Sequence, residues 1–183
     1  MIAAAQQGDA KAALAALGRH RILCAHRLGP FGVQEWARAA RMLIAAQHKN
    51  YGGDDPYIGQ PLLITRNTEP FSNGDVGVII ELEGELQAAI DQGGASAPVM
   101  VSPALLDDAA DLHAMTIHKS QGGQYDDVSI VLPPVGSPLA TRELLYTAVT
   151  RAQSSVKLYG SHDAFAEAVT TPVRRASGLA ISS

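Results

Sequence analysis

The sequence has a single cysteine, Cys24, in 183 residues. An internal disulfide is therefore excluded, and with it a secreted, disulfide-stapled fold; a reducing compartment is expected. No apolar run approaches the ~20 residues of a membrane-spanning helix, and no charged-then-apolar leader with a cleavage site opens the chain. Charged residues are only 17% against 46% hydrophobic, which excludes a disordered chain and leaves enough apolar material for a core. Neither common phosphate cradle is present: G-x-x-x-x-G-K-[ST] and G-x-G-x-x-G are both missing. One cysteine and scattered histidines give no zinc spacing, and there is no nucleophile elbow. What these absences leave is a soluble, globular chain of one domain, or one domain with an insert, in a cytoplasmic setting.

Charge is unevenly placed. Residues 1–50 carry seven Lys/Arg against two Asp/Glu, residues 51–113 one basic residue (Arg66) against eleven acids, and residues 114–183 six against five. Alanine follows the same division, being frequent up to Ala46 and absent from Gln47 to Gln87. Two alanine-rich flanks around an acidic middle point to a domain with an insertion.

The flanks alternate short apolar runs with helical patterns. Residues 1–17 read as helix, broken at Gly8-Asp9, where Asp9 caps a second segment. Arg21–Ala25, Pro61–Thr65, Leu112–Ile117, Val128–Leu132 and Val156–Tyr159 read as strands. Trp36, Ala40, Leu43, Ile44 and Gln47 share one helix face. Ser137-Pro138 or Thr141 opens a helix with Leu144, Leu145, Ala148, Val149 and Ala152 inward, and Asp163–Val169 forms a last helix. Such alternation predicts an α/β fold with a parallel sheet. The middle, with Asn73-Gly74, β-rich Val76–Ile80, Gly84 and Val99–Val101, predicts a small β unit. The tail from Thr170 reads as frayed.

Two segments carry chemistry. Thr116-Ile-His-Lys-Ser-Gln-Gly-Gly-Gln124 follows a strand and can offer hydroxyls, a lysine and glycine N–H groups to phosphate oxygens; a turn built only for backbone geometry reads the same way. Arg151 borders the apolar face at the end of Arg142-Glu-Leu-Leu-Tyr-Thr-Ala-Val-Thr-Arg-Ala152. An arginine there either complements the helix dipole or reaches across an interface to a phosphate.

In this order and spacing, the two segments resemble motifs V and VI of superfamily 1 DNA helicases, above all the exodeoxyribonuclease V alpha-subunit branch, the RecD family. Ile22–Gly32 is similar to that family's motif IV region. Leu63-Ile-Thr-Arg-Asn67 with Phe71–Gly77 is similar to the segment entering its inserted barrel. The resemblance runs from about residue 8 to 165. It implies a RecA-like second motor domain (residues 1–67 and 113–170) with a small β-barrel inserted at 68–112 and a flexible tail at 171–183. Arg151 and Arg27 then contact the γ-phosphate of ATP as catalytic groups, and Gly122 and Gln124 lie beside the nucleotide. Thr116, His118 and Lys119 meet the DNA backbone, with Arg66 and Asn67 as further DNA candidates. No metal ligand is implied: ATP with Mg2+ is held mainly by an N-terminal half bearing the missing phosphate loop.

One departure is chemical. The family usually has Glu where Gln124 stands, and Gln keeps hydrogen bonding while losing the charge. The reading that results is the C-terminal part of an ATP-dependent 5′→3′ helicase acting in double-strand break repair, inactive by itself. Its expected partners are single-stranded DNA, the N-terminal motor domain and other exodeoxyribonuclease V subunits, with no membrane. The alternatives are a relaxase-helicase or stand-alone helicase of the same superfamily, and a non-catalytic nucleic-acid-binding module.

Overall fold

Four segments pair in one direction and build the parallel half of the molecule, the apolar residues of Ile22–Cys24 and Val128–Val131 forming its centre. In the computed structural model, which describes residues 1–93 and 97–173, β1 (His20–Cys24) lies between β7 (Met115–Thr116) and β8 (Tyr125–Val131). β9 (Ala152–Tyr159) forms the far edge, all parallel. Side chains alternate across this sheet as strand geometry requires. Leu23, Val128 and Ile130 face α4 (Arg142–Val149) and α5 (His162–Thr170), together with Ala148 and Ala164. Cys24 and Val131 face the opposite way, toward Val33, Trp36 and Ala37 of α3 (Val33–Ala45). Helices thus cover both faces, as the alternation of strand and helix patterns predicts. Thr141 caps α4, its Oγ1 accepting from the Leu144 N–H at 3.3 Å. Of the two helix starts left open by the sequence, this is the one used.

The middle of the chain forms a second, antiparallel sheet in the order β5 (Val99–Val101), β4 (Glu85–Asp91), β3 (Val76–Leu82), β2 (Pro61–Ile64), β6 (Ala109–Asp111). The expected barrel at 68–112 is corrected here: among the described residues the sheet is open, with β5 and β6 as unpaired ends. The physical reason is that its two faces are covered separately. Val78, Ile80 and Ala89 pack against Ala5, Ala13 and Leu17 of α1 (Ile2–Gln6) and α2 (Ala10–Gly18). Ile79, Ala88 and Ile90 pack on the other face with Leu62, Ile64 and Phe71. A sheet roofed by helices on one side has no need to close on itself. The sheet also takes in Pro61–Ile64, ahead of the expected boundary, because β2 pairs with both β3 and β6. The break at Gly8-Asp9 is as read: Asp9 Oδ1 accepts from the Ala12 N–H at 2.9 Å, capping α2.

A polar chain ties the end of β6 to the loop that follows α3. Asp111 Oδ1 accepts from His113 Nδ1 at 2.6 Å and from the His113 backbone N–H at 2.8 Å. His113 Nε2 meets the Tyr51 hydroxyl at 2.8 Å. Among the described residues no helix is long and apolar enough to cross a membrane. Residues 174–183, which make up most of the expected tail, lie outside the described residues.

Candidate nucleotide and nucleic-acid interface

The turn from β7 to β8 is the chemically dense part of the molecule. His118–Ser120 makes one 3-10 turn, held by Ser120, whose N–H and Oγ both donate to the Ile117 carbonyl. Thr116 Oγ1 accepts from the Lys119 N–H at 3.2 Å. Gly122 then takes φ +88° with open space around it, so glycine is needed there for its backbone conformation rather than for room. His118, Lys119 and Gln124 are exposed.

Arg151, at the end of α4, reaches back to this turn. Its Nη1 donates to the Gly123 carbonyl at 3.2 Å, Nε to the Thr147 carbonyl at 3.1 Å and Nη2 to Thr150 Oγ1 at 3.3 Å. The main chain ties the same pieces, Tyr125 N–H donating to the Arg151 carbonyl at 2.9 Å. A guanidinium has five N–H donors; three are used and the group is only partly buried. Gln124 Oε1 accepts from Gln153 Nε2 at 3.2 Å. Arg151, Gly122 and Gln124 are therefore gathered at the N-terminal ends of β8 and β9. Gly123, part of the glycine pair of the turn, and Gln153, which gives no signal in the sequence, complete the group.

Arg27 sits elsewhere. It follows the C-terminal end of β1, in a turn closed by Val33 N–H to the His26 carbonyl (3.0 Å) and Gln34 N–H to the Arg27 carbonyl (3.2 Å). Because β1 and β8 are parallel, this end is separated from the Gly122–Gln124 end by the length of the strands, roughly 16 Å for five residues. The structure does not bring Arg27 and Arg151 to one point. Arg27 instead lines a cavity of about 430 Å³ with Thr116 and Lys119. A second cavity, about 590 Å³, lies under the same turn and is lined by Lys119, Gly122, Asn73 and Arg21.

Arg21 was not singled out by sequence. It is buried, lies 4.9 Å over the Tyr125 ring, and donates to the Leu112 and Leu17 carbonyls at 3.3 and 3.4 Å. Burial pulls its guanidinium below the ordinary value. The two remaining DNA candidates have local partners: Arg66 is paired with Asp108 at 3.5 Å, and Asn67 Oδ1 accepts from the Asn73 N–H at 2.7 Å.

The chain is similar to known helicases in sequence and in fold. Residues 111–159 match the UvrD-like helicase C-terminal domain. The chain is 45% identical over 178 residues to the RecBCD enzyme subunit RecD of Mycobacterium tuberculosis, covering 96% of this chain and 31% of that protein. It is 41% identical over 178 residues to the same subunit of Mycolicibacterium smegmatis, with the same coverage. The chain thus spans about a third of the length of the relatives it matches. Among solved structures, Pif1 helicase from Bacteroides in complex with ADP-AlF3 and ssDNA superposes with a TM-score of 0.50 at 16% identity, over 78% of this chain and 41% of that one. That likeness concerns the fold.

Proposed function

We propose that this chain, RecD-like in sequence over nearly its whole length, is the RecA-like second motor domain of an ATP-dependent 5′→3′ DNA helicase. The whole enzyme is of the exodeoxyribonuclease V alpha-subunit kind and works in double-strand break repair. The observation that carries the reading is the clamp of Arg151 on the Gly123 carbonyl. It fixes a partly exposed guanidinium beside Gly122 and Gln124 with donors to spare.

In the assembled motor, ATP and Mg2+ are held mainly by the partner half that carries the phosphate loop. Arg151 approaches the γ-phosphate across the cleft and stabilises the charge that develops during transfer. The helix end and the β7–β8 turn are bonded to each other, so cleft closure moves them together. Thr116, His118 and Lys119, on the same turn, are thereby coupled to single-stranded DNA. The motor unit is the parallel sheet with its helices. The proposed division stays at residues 67 and 113, with β2 a strand of the antiparallel sheet and α1 and α2 packed on its face. Partners are the N-terminal motor domain, single-stranded DNA and other exodeoxyribonuclease V subunits, in the cytoplasm.

The test is ATP hydrolysis with and without single-stranded DNA. This chain by itself should show none, and mixing or fusing it with the phosphate-loop half should restore DNA-stimulated turnover. Substantial turnover by the 183-residue chain alone would overturn the proposal.

A further inference from the structure

Arg21 alternates with Leu23 along β1 and is turned inward, only 3% exposed. Its contacts reach three separate parts of the chain. Nη2 donates to the Leu17 carbonyl in the last turn of α2 (3.4 Å), and Nη1 to the Leu112 carbonyl, one residue past β6 (3.3 Å). The guanidinium carbon stands 4.9 Å from the centroid of the ring of Tyr125, the first residue of β8. Nε is buried without a hydrogen-bond partner, and among the described residues no carboxylate pairs with the group. A buried guanidinium left with two carbonyls, a ring and an orphaned N–H is a costly way to fill a core, where Leu or Met would serve. Its planar fork is suited instead to fixing the groups it touches.

Of the three contacts, Tyr125 is the one joined to the candidate site. Its backbone N–H donates to the Arg151 carbonyl at 2.9 Å. Its hydroxyl lies directly against the turn: a Cβ on Gly123 would stand 2.8 Å from that oxygen. The Gly123 carbonyl in turn accepts from Arg151 Nη1 at 3.2 Å. One tyrosine thus props both halves of the clamp, the main chain of Arg151 and the turn that Arg151 grips. The hydroxyl's own hydrogen bond is weak, to the Met115 sulfur at 3.6 Å. Arg21 steadies the ring, since a cation over an aromatic face is attracted to it, more strongly where water is excluded.

We propose that Arg21 is a positioning residue for Arg151, holding Tyr125 so that the Gly122–Gln124 turn and the end of α4 keep the geometry that aims the Arg151 guanidinium. The inference rests on the motor-domain reading and deepens it. Arg21 itself touches neither phosphate nor DNA and acts only through Tyr125. Its bonds to the Leu112 and Leu17 carbonyls carry the same geometry to the inserted sheet, because Leu112 directly follows β6 and α2 packs on the sheet's face. A shift of the inserted sheet against the parallel one is thereby felt at Arg151.

The test is steady-state, DNA-stimulated ATP hydrolysis by the motor assembled with its phosphate-loop half. Arg21→Met keeps an apolar stem and removes the fork; it should lower kcat about tenfold while KM for ATP stays within about twofold. Tyr125→Phe removes only the hydroxyl that lies against Gly123 and should lower kcat about two- to fivefold. Circular dichroism checks the fold, and where Arg21→Met does not fold, Tyr125→Phe decides. In the Arg151→Ala background neither change should lower the residual rate by more than about twofold, because groups acting through one arginine are not additive. An unchanged kcat, losses that multiply in the two backgrounds, or a KM that rises while kcat holds would overturn the positioning role and leave the motor reading standing. Wild-type hydrolysis that is absent, or untouched by Arg151→Ala, would overturn both.

Discussion

Arg151 and Gly123 are joined by a hydrogen bond of 3.2 Å from Nη1 to the carbonyl oxygen, across 28 residues of sequence. The bond makes the end of α4 and the β7–β8 turn one mechanical piece. It also gives the arginine a structural share in addition to the phosphate contact proposed for it, and the two can be separated.

Arg151→Ala in the motor assembled with its phosphate-loop half should lower DNA-stimulated ATP hydrolysis by about 10³-fold or more. Single-strand affinity should stay within about twofold. In this chain alone the same change should cost about 1–3 kcal/mol in urea unfolding, from three lost hydrogen bonds of a charged donor. Arg151→Lys should not rescue hydrolysis, because an ammonium cannot reproduce the fork geometry. Equal loss of hydrolysis and DNA binding would mark a purely structural residue.

Gln124→Glu restores the residue usual in the family at a position where Gln153 can still donate to it. The fold should be unchanged. In the assembled motor the apparent KM for ATP should fall about two- to fivefold, the size of one added charge-assisted hydrogen bond at an exposed site. Steady-state kinetics at constant magnesium reads this directly, and an unchanged KM would remove Gln124 from the nucleotide contact.

Gly32 precedes α3, and a Cβ there would stand 2.5 Å from the Leu28 carbonyl oxygen. Gly32→Ala must therefore open the turn that presents Arg27 and Leu28. A stability loss of about 1–3 kcal/mol is expected from the clash. Arg151-dependent hydrolysis in the assembled motor should persist. Denaturant titration and steady-state hydrolysis together check the prediction.

The Tyr51–Tyr57 pair offers a contrast in sign. The Tyr51 hydroxyl partners His113 Nε2, so Tyr51→Phe leaves a buried ring nitrogen unsatisfied and should cost about 1–3 kcal/mol. The Tyr57 hydroxyl is buried without a hydrogen-bond partner among the described residues. Tyr57→Phe should stabilise by about 1 kcal/mol, since an orphaned polar group is removed. Thermal melts of the two variants should move in opposite directions.

Stability should also fall on the alkaline side. Burial raises the Cys24 thiol from 9.0 to about 12, and burial is likewise the main cause that pushes the Tyr57 phenol up to about 12. The folded state keeps these protons where the unfolded chain has lost them. Their contribution is thus complete below about pH 9 and is lost as pH rises toward 12. Cys24→Ala/Tyr57→Phe should flatten that limb of the stability curve, and native Cys24 should resist thiol reagents until the chain unfolds.

Local rules reached the parallel half of the fold because its signals are local. Apolar runs such as Arg21–Ala25 have the length and composition of buried strands. Asp9 and Thr141 cap helices through bonds three residues long, and the motif spacing around Gly122 and Arg151 survives any rearrangement of the middle. The acidic, alanine-poor composition marked the insert for the same reason, since charge density is written residue by residue. The sequence alone therefore determined the strand–helix alternation, the distinct β character of the acidic middle and the spacing of the two segments around Gly122 and Arg151. What it could not contain was which face of a sheet a helix would cover. Helices α1 and α2 roof Val78 and Ile80, so the inserted sheet stays open where a barrel was expected. Nor could it say at which end of a strand a residue would come to lie relative to another strand's residues. Parallel pairing of β1 with β8 sent Arg27 and Arg151 to opposite ends, because direction and register are properties of chain packing that no stretch of sequence holds by itself.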